Sequence, residues 1–229
     1  MPRELVGALR RNPLIIYYIT GENIIRKSYK NEISISHYEE CTTLLGPYNR
    51  FVIWVHGCCF SCAACLTDSI KNGFKETINV NELSDLIVKS NTEGITISGG
   101  EPFLQSKELS ELIINIRKHK EIGVIVYSGY TLKEINENDE YKEFLSSIDV
   151  LIDGRYIKEL DDGRAYVGSS NQVIHYLTDR YLEAGKIYYT AEKRKAEIKL
   201  TPDKAILIGV PSAGVLKAWK EIMQKAGTI

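Results

Sequence analysis

The residues Phe51-Val52-Ile53-Trp54-Val55-His56-Gly57-Cys58-Cys59-Phe60-Ser61-Cys62-Ala63-Ala64-Cys65 join an uninterrupted apolar run to a loop crowded with thiols. An apolar run without polar alternation, rich in β-forming side chains, reads as a parallel strand covered on both faces. Of the chain's five cysteines only Cys41 lies outside the loop. An odd number packed this closely is no disulfide framework, so a reducing cytoplasm and a bound metal are expected.

The pattern continues as strand and helix in alternation. Val80, Leu83, Leu86 and Ile87 have helical spacing, and a short strand over Ile95 to Ser98 ends at Gly99-Gly100. Ser106 is placed to cap a helix with the stripe Leu109, Leu112, Ile113 and Ile116, and Val124 to Tyr127 reads as the next strand. Thr131 and Glu134 have capping-box spacing ahead of a short helix, and Asp149 to Ile152 reads as a fourth strand ending at Asp153-Gly154. Such alternation predicts an α/β fold, a parallel sheet or partial barrel, with functional groups at the carboxyl ends of the strands. The cysteine loop, Gly99-Gly100-Glu101, Ser128-Gly129 and Asp153-Gly154 each begin at such an end. Beyond about residue 178, strands are expected over Ile187 to Tyr189, Ala196 to Leu200 and Ala205 to Val210, then a helix with Val215, Trp219, Ile222 and Met223 on one face.

Composition removes several function classes. The 29 Lys and Arg against 30 Asp and Glu give a formal charge of -1, which provides no bulk attraction for nucleic acid. The longest early apolar run, Leu14 to Ile19, is far short of a membrane span, and Arg3, Arg10 and Arg11 precede no signal-peptide core. A soluble cytoplasmic protein is expected.

Cys58, Cys62 and Cys65 supply three thiolates from one tight loop, which suits zinc or an iron–sulfur cluster. Zinc would need a fourth ligand from Cys59, His56 or Cys41, and adjacent Cys58 and Cys59 are awkward partners on one ion. A four-iron cluster held by three thiolates instead keeps one iron open to a chelating ligand. Cys59 reads as a spare thiol, His56 and Asn171 as structural, and the 14 tyrosines as ordinary amphipathic packing.

This cysteine loop after the first strand, with Thr96-Ile97-Ser98-Gly99-Gly100-Glu101-Pro102 after the second, resembles the radical S-adenosylmethionine (SAM) superfamily. Gly46-Pro47-Tyr48-Asn49-Arg50, Ser128-Gly129-Tyr130-Thr131, Asp153-Gly154 and Gly168-Ser169-Ser170-Asn171-Gln172 make it similar to one branch, the anaerobic ribonucleotide reductase activating proteins and related glycyl radical enzyme activases. The likeness runs over about residues 31 to 178 and weakens to Gly209-Val210-Pro211. It implies an incomplete β/α barrel at 47–178 between an N-terminal extension, 1–46, and a C-terminal extension, 179–229, packed on the core. It implies a [4Fe-4S] cluster on Cys58, Cys62 and Cys65, and SAM bound by Gly99, Gly100, Glu101, Ser128 and Asp153. The partners implied are a glycyl radical enzyme as protein substrate and a one-electron donor such as flavodoxin or ferredoxin, with no nucleic acid or membrane. A radical SAM enzyme acting directly on a peptide or small molecule would share these residues. The chain departs from the family at Tyr48, where a second glycine is usual, and at Ala64 and Leu66, where other residue types are common.

Overall fold

A computed structural model describes residues 19–20, 23–24, 31–63, 65, 67, 75–190, 194–200 and 205–225. Arg3, Arg10, Arg11, most of the Leu14 to Ile19 run, Ala64, Leu66 and the side chain of Met223 lie outside the described residues. Backbone contacts divide the chain into Met1–Lys30 and Asn31–Ile229. In the first unit, β1 (Ile19–Thr20) and β2 (Asn23–Ile24) form an antiparallel pair.

The second unit is mixed α/β. Its strands are β3 (Glu32–Thr42), β4 (Arg50–Val55), β5 (Glu76–Asn79), β6 (Gly94–Gly99), β7 (Gly123–Tyr127), β8 (Val150–Asp153) and β9 (Val173–Tyr176), in the sheet order β5-β3-β4-β6-β7-β8-β9. The four central strands run parallel, as the alternation predicts. Both flanks depart from the expected all-parallel sheet, because β3 pairs antiparallel with β4 and β5, and β9 with β8. A separate antiparallel hairpin joins β10 (Ala196–Leu200) and β11 (Ala205–Gly209).

Among the described residues the helices are α1 (Val80–Lys89), α2 (Ser106–Arg117), α3 (Leu132–Asn136), α4 (Lys142–Ser146), α5 (Leu182–Tyr189) and α6 (Ala213–Lys225). Phe51, Ile53 and Val55 point to one side of the sheet and share a core with the stripes of α1 and α2. Val52 and Trp54 point to the other side and pack on Leu45, Ile208 and Val210. That two-sided burial explains the lack of polar alternation in β4.

Two local expectations are corrected. Ser106 does not cap α2 but is its first residue, because a 3₁₀ turn over Pro102–Gln105 precedes it and Glu101 takes the capping role by accepting from Phe103 N. Ile187 to Tyr189 are helical, since Thr178 caps a 3₁₀ turn at Asp179–Tyr181 that passes directly into α5. The capping box at Thr131 and Glu134 is present in both directions. Among the described residues no helix is long and apolar enough to cross a membrane.

Candidate functional site

Parallel pairing brings the carboxyl ends of the central strands side by side. Val55 is in register with Gly99, Ile97 with Val126, and Tyr127 with Ile152. The loops that leave these ends border one cavity, to which they bring Cys58, Cys62 and Cys65, then Gly99, Gly100 and Glu101, then Ser128 and Gly129, then Gly154 and Arg155. Residues scattered over about 100 positions are neighbours because each strand stops at the same level of the sheet.

Cys58, Cys62 and Cys65 are half-buried, none in a disulfide. Phe60 N donates to Cys58 Sγ at 3.4 Å. Thr67 donates to Gly99 O at 2.9 Å and lies 3.4 Å from Cys65 Sγ, so it fastens the end of the cysteine loop to the glycine segment. Cys59 is exposed, does not border the cavity, and lies 3.3 Å from the Tyr130 hydroxyl.

The two glycines have a steric reason to be glycine. Gly99 has a φ of +107°, and a Cβ there would come within 2.5 Å of Val55 O; a Cβ on Gly100 would sit 1.9 Å from Gly57 O. Their absence of side chains lets Gly100 N donate to Val55 O and Glu101 N to Gly57 O, both at 2.8 Å. The cysteine loop and the Gly-Gly-Glu segment are thereby one backbone-linked unit.

Glu101 is 1% exposed. Its Oε1 accepts from Ser128 Oγ at 2.9 Å and Phe103 N at 3.0 Å, and its Oε2 from Gly129 N at 2.8 Å. Burial pushes its pKa up to about 7, against the opposing pull of these three donors. A carboxylate offers about four lone-pair positions, so one remains for a cationic ligand. The Ser128 hydroxyl is spent on Glu101 and accepts from Tyr130 N, which makes it a support for the carboxylate. Asp153 is not brought to the cavity: its Oδ2 accepts from Leu132 N at 2.5 Å and lies 3.0 Å from His175 Nε2. Asn171 donates to Arg155 O, and His56 Nδ1 lies 3.1 Å from Ser36 Oγ, both local structural contacts.

Sequence reasoning missed Phe60, Arg155 and Val210, which also border the cavity. The Arg155 guanidinium lies 4.5 Å from the Phe60 ring centre and 3.0 Å from Glu134, so it bridges the cysteine loop to α3. A basic residue directly after Asp153-Gly154, at a strand end, was the available signal. Val210, which directly follows a separate hairpin, lies in the Gly209-Val210-Pro211 segment to which the family likeness weakly extends, and that was its only signal.

The donor set tests which metal group fits. Among the described residues no three His, Cys, Asp or Glu side chains converge on a point suited to a single ion. Cys58, Cys62 and Cys65 border one cavity, and an all-thiolate donor set is the kind that iron–sulfur clusters take.

Comparison with known proteins agrees with that chemistry. A family described as "4Fe-4S single cluster domain" matches residues 44–175. The anaerobic ribonucleoside-triphosphate reductase-activating protein of Enterobacteria phage T4 is 33% identical over 146 residues, covering 61% of this chain and 91% of that protein. The proteins of the same name from Vibrio cholerae serotype O1 and Escherichia coli K12 are 33% and 32% identical, each alignment covering 58% of this chain and 91% of the relative.

Proposed function

The chain belongs to the family of anaerobic ribonucleoside-triphosphate reductase-activating proteins and carries their 4Fe-4S single cluster domain, and from that premise we propose that it is a radical SAM activase that installs a glycyl radical on a partner enzyme. The proposed partner is an anaerobic ribonucleotide reductase, with a flavodoxin or ferredoxin as electron donor and the cytoplasm as the working compartment. The proposed scaffold is an incomplete β/α barrel whose core is 47–178.

The observation that carries this reading is the meeting of three loop thiols and a buried Gly-Gly-Glu carboxylate at one cavity. Cys58, Cys62 and Cys65 would hold the cluster. When bound, a reduced cluster supplies the single electron that cleaves SAM to methionine and a 5′-deoxyadenosyl radical. Glu101 has an acceptor position left for the SAM ammonium, and Ser128, Phe103 N and Gly129 N fix the carboxylate so that it need not reorganise on binding. Gly99 and Gly100 keep that carboxylate close to the cysteine loop. Asp153 acts one step back from SAM, by orienting the Leu132 end of α3.

Anaerobically reconstituted and reduced protein should convert SAM to 5′-deoxyadenosine. With the partner present, electron paramagnetic resonance should show a carbon-centred doublet that collapses when glycine is deuterated at Cα. A modified peptide or small molecule with no stored protein radical would instead establish an enzyme acting directly on that substrate.

A further inference from the structure

We propose that Arg194, which lies beyond residue 175 where the family match ends, is a positioning residue for SAM: it fixes the part of the cavity wall left for the nucleoside half of that ligand. The inference rests on the radical SAM reading above. The Arg194 side chain is only 4% exposed, and all three of its nitrogens have acceptors. Nε donates to Arg164 O at 3.0 Å, and Nη1 to Asp161 Oδ2 at 3.1 Å and Pro211 O at 3.5 Å. Nη2 donates to Val167 O at 3.1 Å and Gly168 O at 2.9 Å, and lies 2.7 Å from Asp161 Oδ1. A planar guanidinium can gather acceptors from several chain segments at once, which an ammonium cannot do in one plane. Burial pushes the Asp161 carboxyl up, but the Arg194 donors, Gly163 N and the Tyr156 hydroxyl together hold it below its ordinary value. The buried cation therefore has an anionic partner.

The partners of Arg194 lead to the cavity from three directions. Asp161 Oδ2 also accepts from the Tyr156 hydroxyl at 3.1 Å, and Tyr156 borders the cavity. Gly168 borders it directly, and so does Val210, next to Pro211. These residues belong to the segments after β8, before β9 and after β11. Gln172 ties the first two together: its Oε1 accepts from Gly168 N at 2.7 Å and its Nε2 donates to Gly154 O at 2.8 Å. The Glu101 carboxylate is held by a different set of donors, Ser128, Phe103 N and Gly129 N. The cavity thus has two sides that are fixed separately.

The two sides divide the ligand between them. With the ammonium on Glu101 beside the cysteine loop, the ribose and purine are left with the rest of the same cavity, where Tyr156, Val210 and Gln172 offer a ring, an aliphatic surface and an amide. The Tyr156 hydroxyl is spent on Asp161, so its ring is what remains for a ligand. That ring packs closely on Gly168, where a Cβ would stand 2.8 Å from it. Loss of Arg194 releases the Asp161 tether of Tyr156 and strands the carbonyls of Val167 and Gly168. SAM must then pay for ordering this wall on binding.

The test measures the SAM dissociation constant of full-length, anaerobically reconstituted protein, from the change in the electron paramagnetic resonance signal of the reduced cluster as SAM is added. Arg194→Gln should bind SAM at least ~10-fold more weakly and Tyr156→Phe about 3-fold more weakly, the sizes expected for a charged and a neutral hydrogen-bonded contact. The double variant should bind no more weakly than Arg194→Gln alone, because the hydroxyl acts through the same Asp161. A purely structural Arg194 would lower the urea midpoint and leave the dissociation constant of the folded fraction unchanged, and that result overturns the proposal. Fully additive losses overturn the route through Tyr156. Should Arg194→Gln not accumulate as folded protein, Tyr156→Phe, which keeps the ring, decides: wild-type affinity in that variant counts against the proposal and weakened affinity supports it. A wild type that carries its cluster yet binds no SAM removes the radical SAM reading, and this inference with it; a wild type that binds SAM beside variants of equal affinity removes the role of Arg194 alone.

Discussion

Replacing Glu101 by Gln should remove a pH dependence of stability that the wild type carries. In the fold this carboxyl is buried and titrates at about 7, against an ordinary value of 4.5. A raised pKa means that the folded state favours the protonated form. The stabilisation is therefore complete below pH 4.5 and is lost as pH climbs through 7. At ~1.4 kcal/mol per pH unit the rise is worth roughly 3 kcal/mol, a large part of a typical total stability. Urea unfolding of wild type and Glu101→Gln, in the same metal state at several values between pH 4.5 and 8, should show the wild type losing up to roughly 3 kcal/mol relative to the variant. Parallel curves over that range would refute the buried, proton-holding carboxyl. The same group links protons to ligand: a cation placed on the free acceptor position lowers the pKa, so SAM binding near pH 6.5 should release a proton, detectable by calorimetry in buffers of different ionisation enthalpy. The variant should bind SAM ~10- to 100-fold more weakly, from ~1.5 to 3 kcal/mol for a charged hydrogen bond, with no proton release.

Single Cys→Ala changes at Cys58, Cys62 and Cys65 should each abolish a full cluster by iron and sulfide analysis, whereas Cys59→Ala should keep it. Gly100→Ala should destabilise by about 2 to 4 kcal/mol in urea unfolding, because the new Cβ meets backbone at Gly57 O and breaks the 2.8 Å bond to Glu101 N; a loss under ~0.5 kcal/mol would mean that the loop moves freely. Arg50→Ala should cost about 3 to 5 kcal/mol by the same measurement. Arg50 is fully buried, bonds Thr96 and Tyr181 at 2.7 Å each and Gly123 O at 3.1 Å, and its loss strands those partners.

Much of the architecture was legible in short windows because its causes are short-ranged. The apolar run at Phe51 to Val55, the stripes of α1 and α2 and the Thr131 and Glu134 box each depend on residues within two helical turns. The cysteine spacing and Gly-Gly-Glu could be read as chemistry for the same reason. The antiparallel strand β3 was missed although Ile33 and Ile35 alternate with Ser34 and Ser36; the signal was present, but its polar remainder hid it. In β5 only Ile78 of four residues is buried, too little pattern to read. Ile187 to Tyr189 were misread because three residues cannot separate strand from helix, and the 3₁₀ turn upstream decided it.

The chemistry of the site depends on separations that no window spans. Ser128 and Gly129 meet Glu101 across 27 and 28 residues, and the burial that this packing completes raises the carboxyl's pKa against the lowering pull of those donors. Asp153 has the same strand-end position as the true cavity residues, yet its carboxylate is turned to Leu132 N and His175 by packing that its neighbours in sequence do not encode. The steric demand for glycine at Gly100 shows only in the fold, where Gly57 O stands 1.9 Å from the position of a Cβ. Local sequence sets which backbone shapes and donor types are on offer, because propensity and capping act over a few residues. Which groups face each other, what water is excluded from them and which faces stay open follow from strand order and register, a property of the whole chain at once.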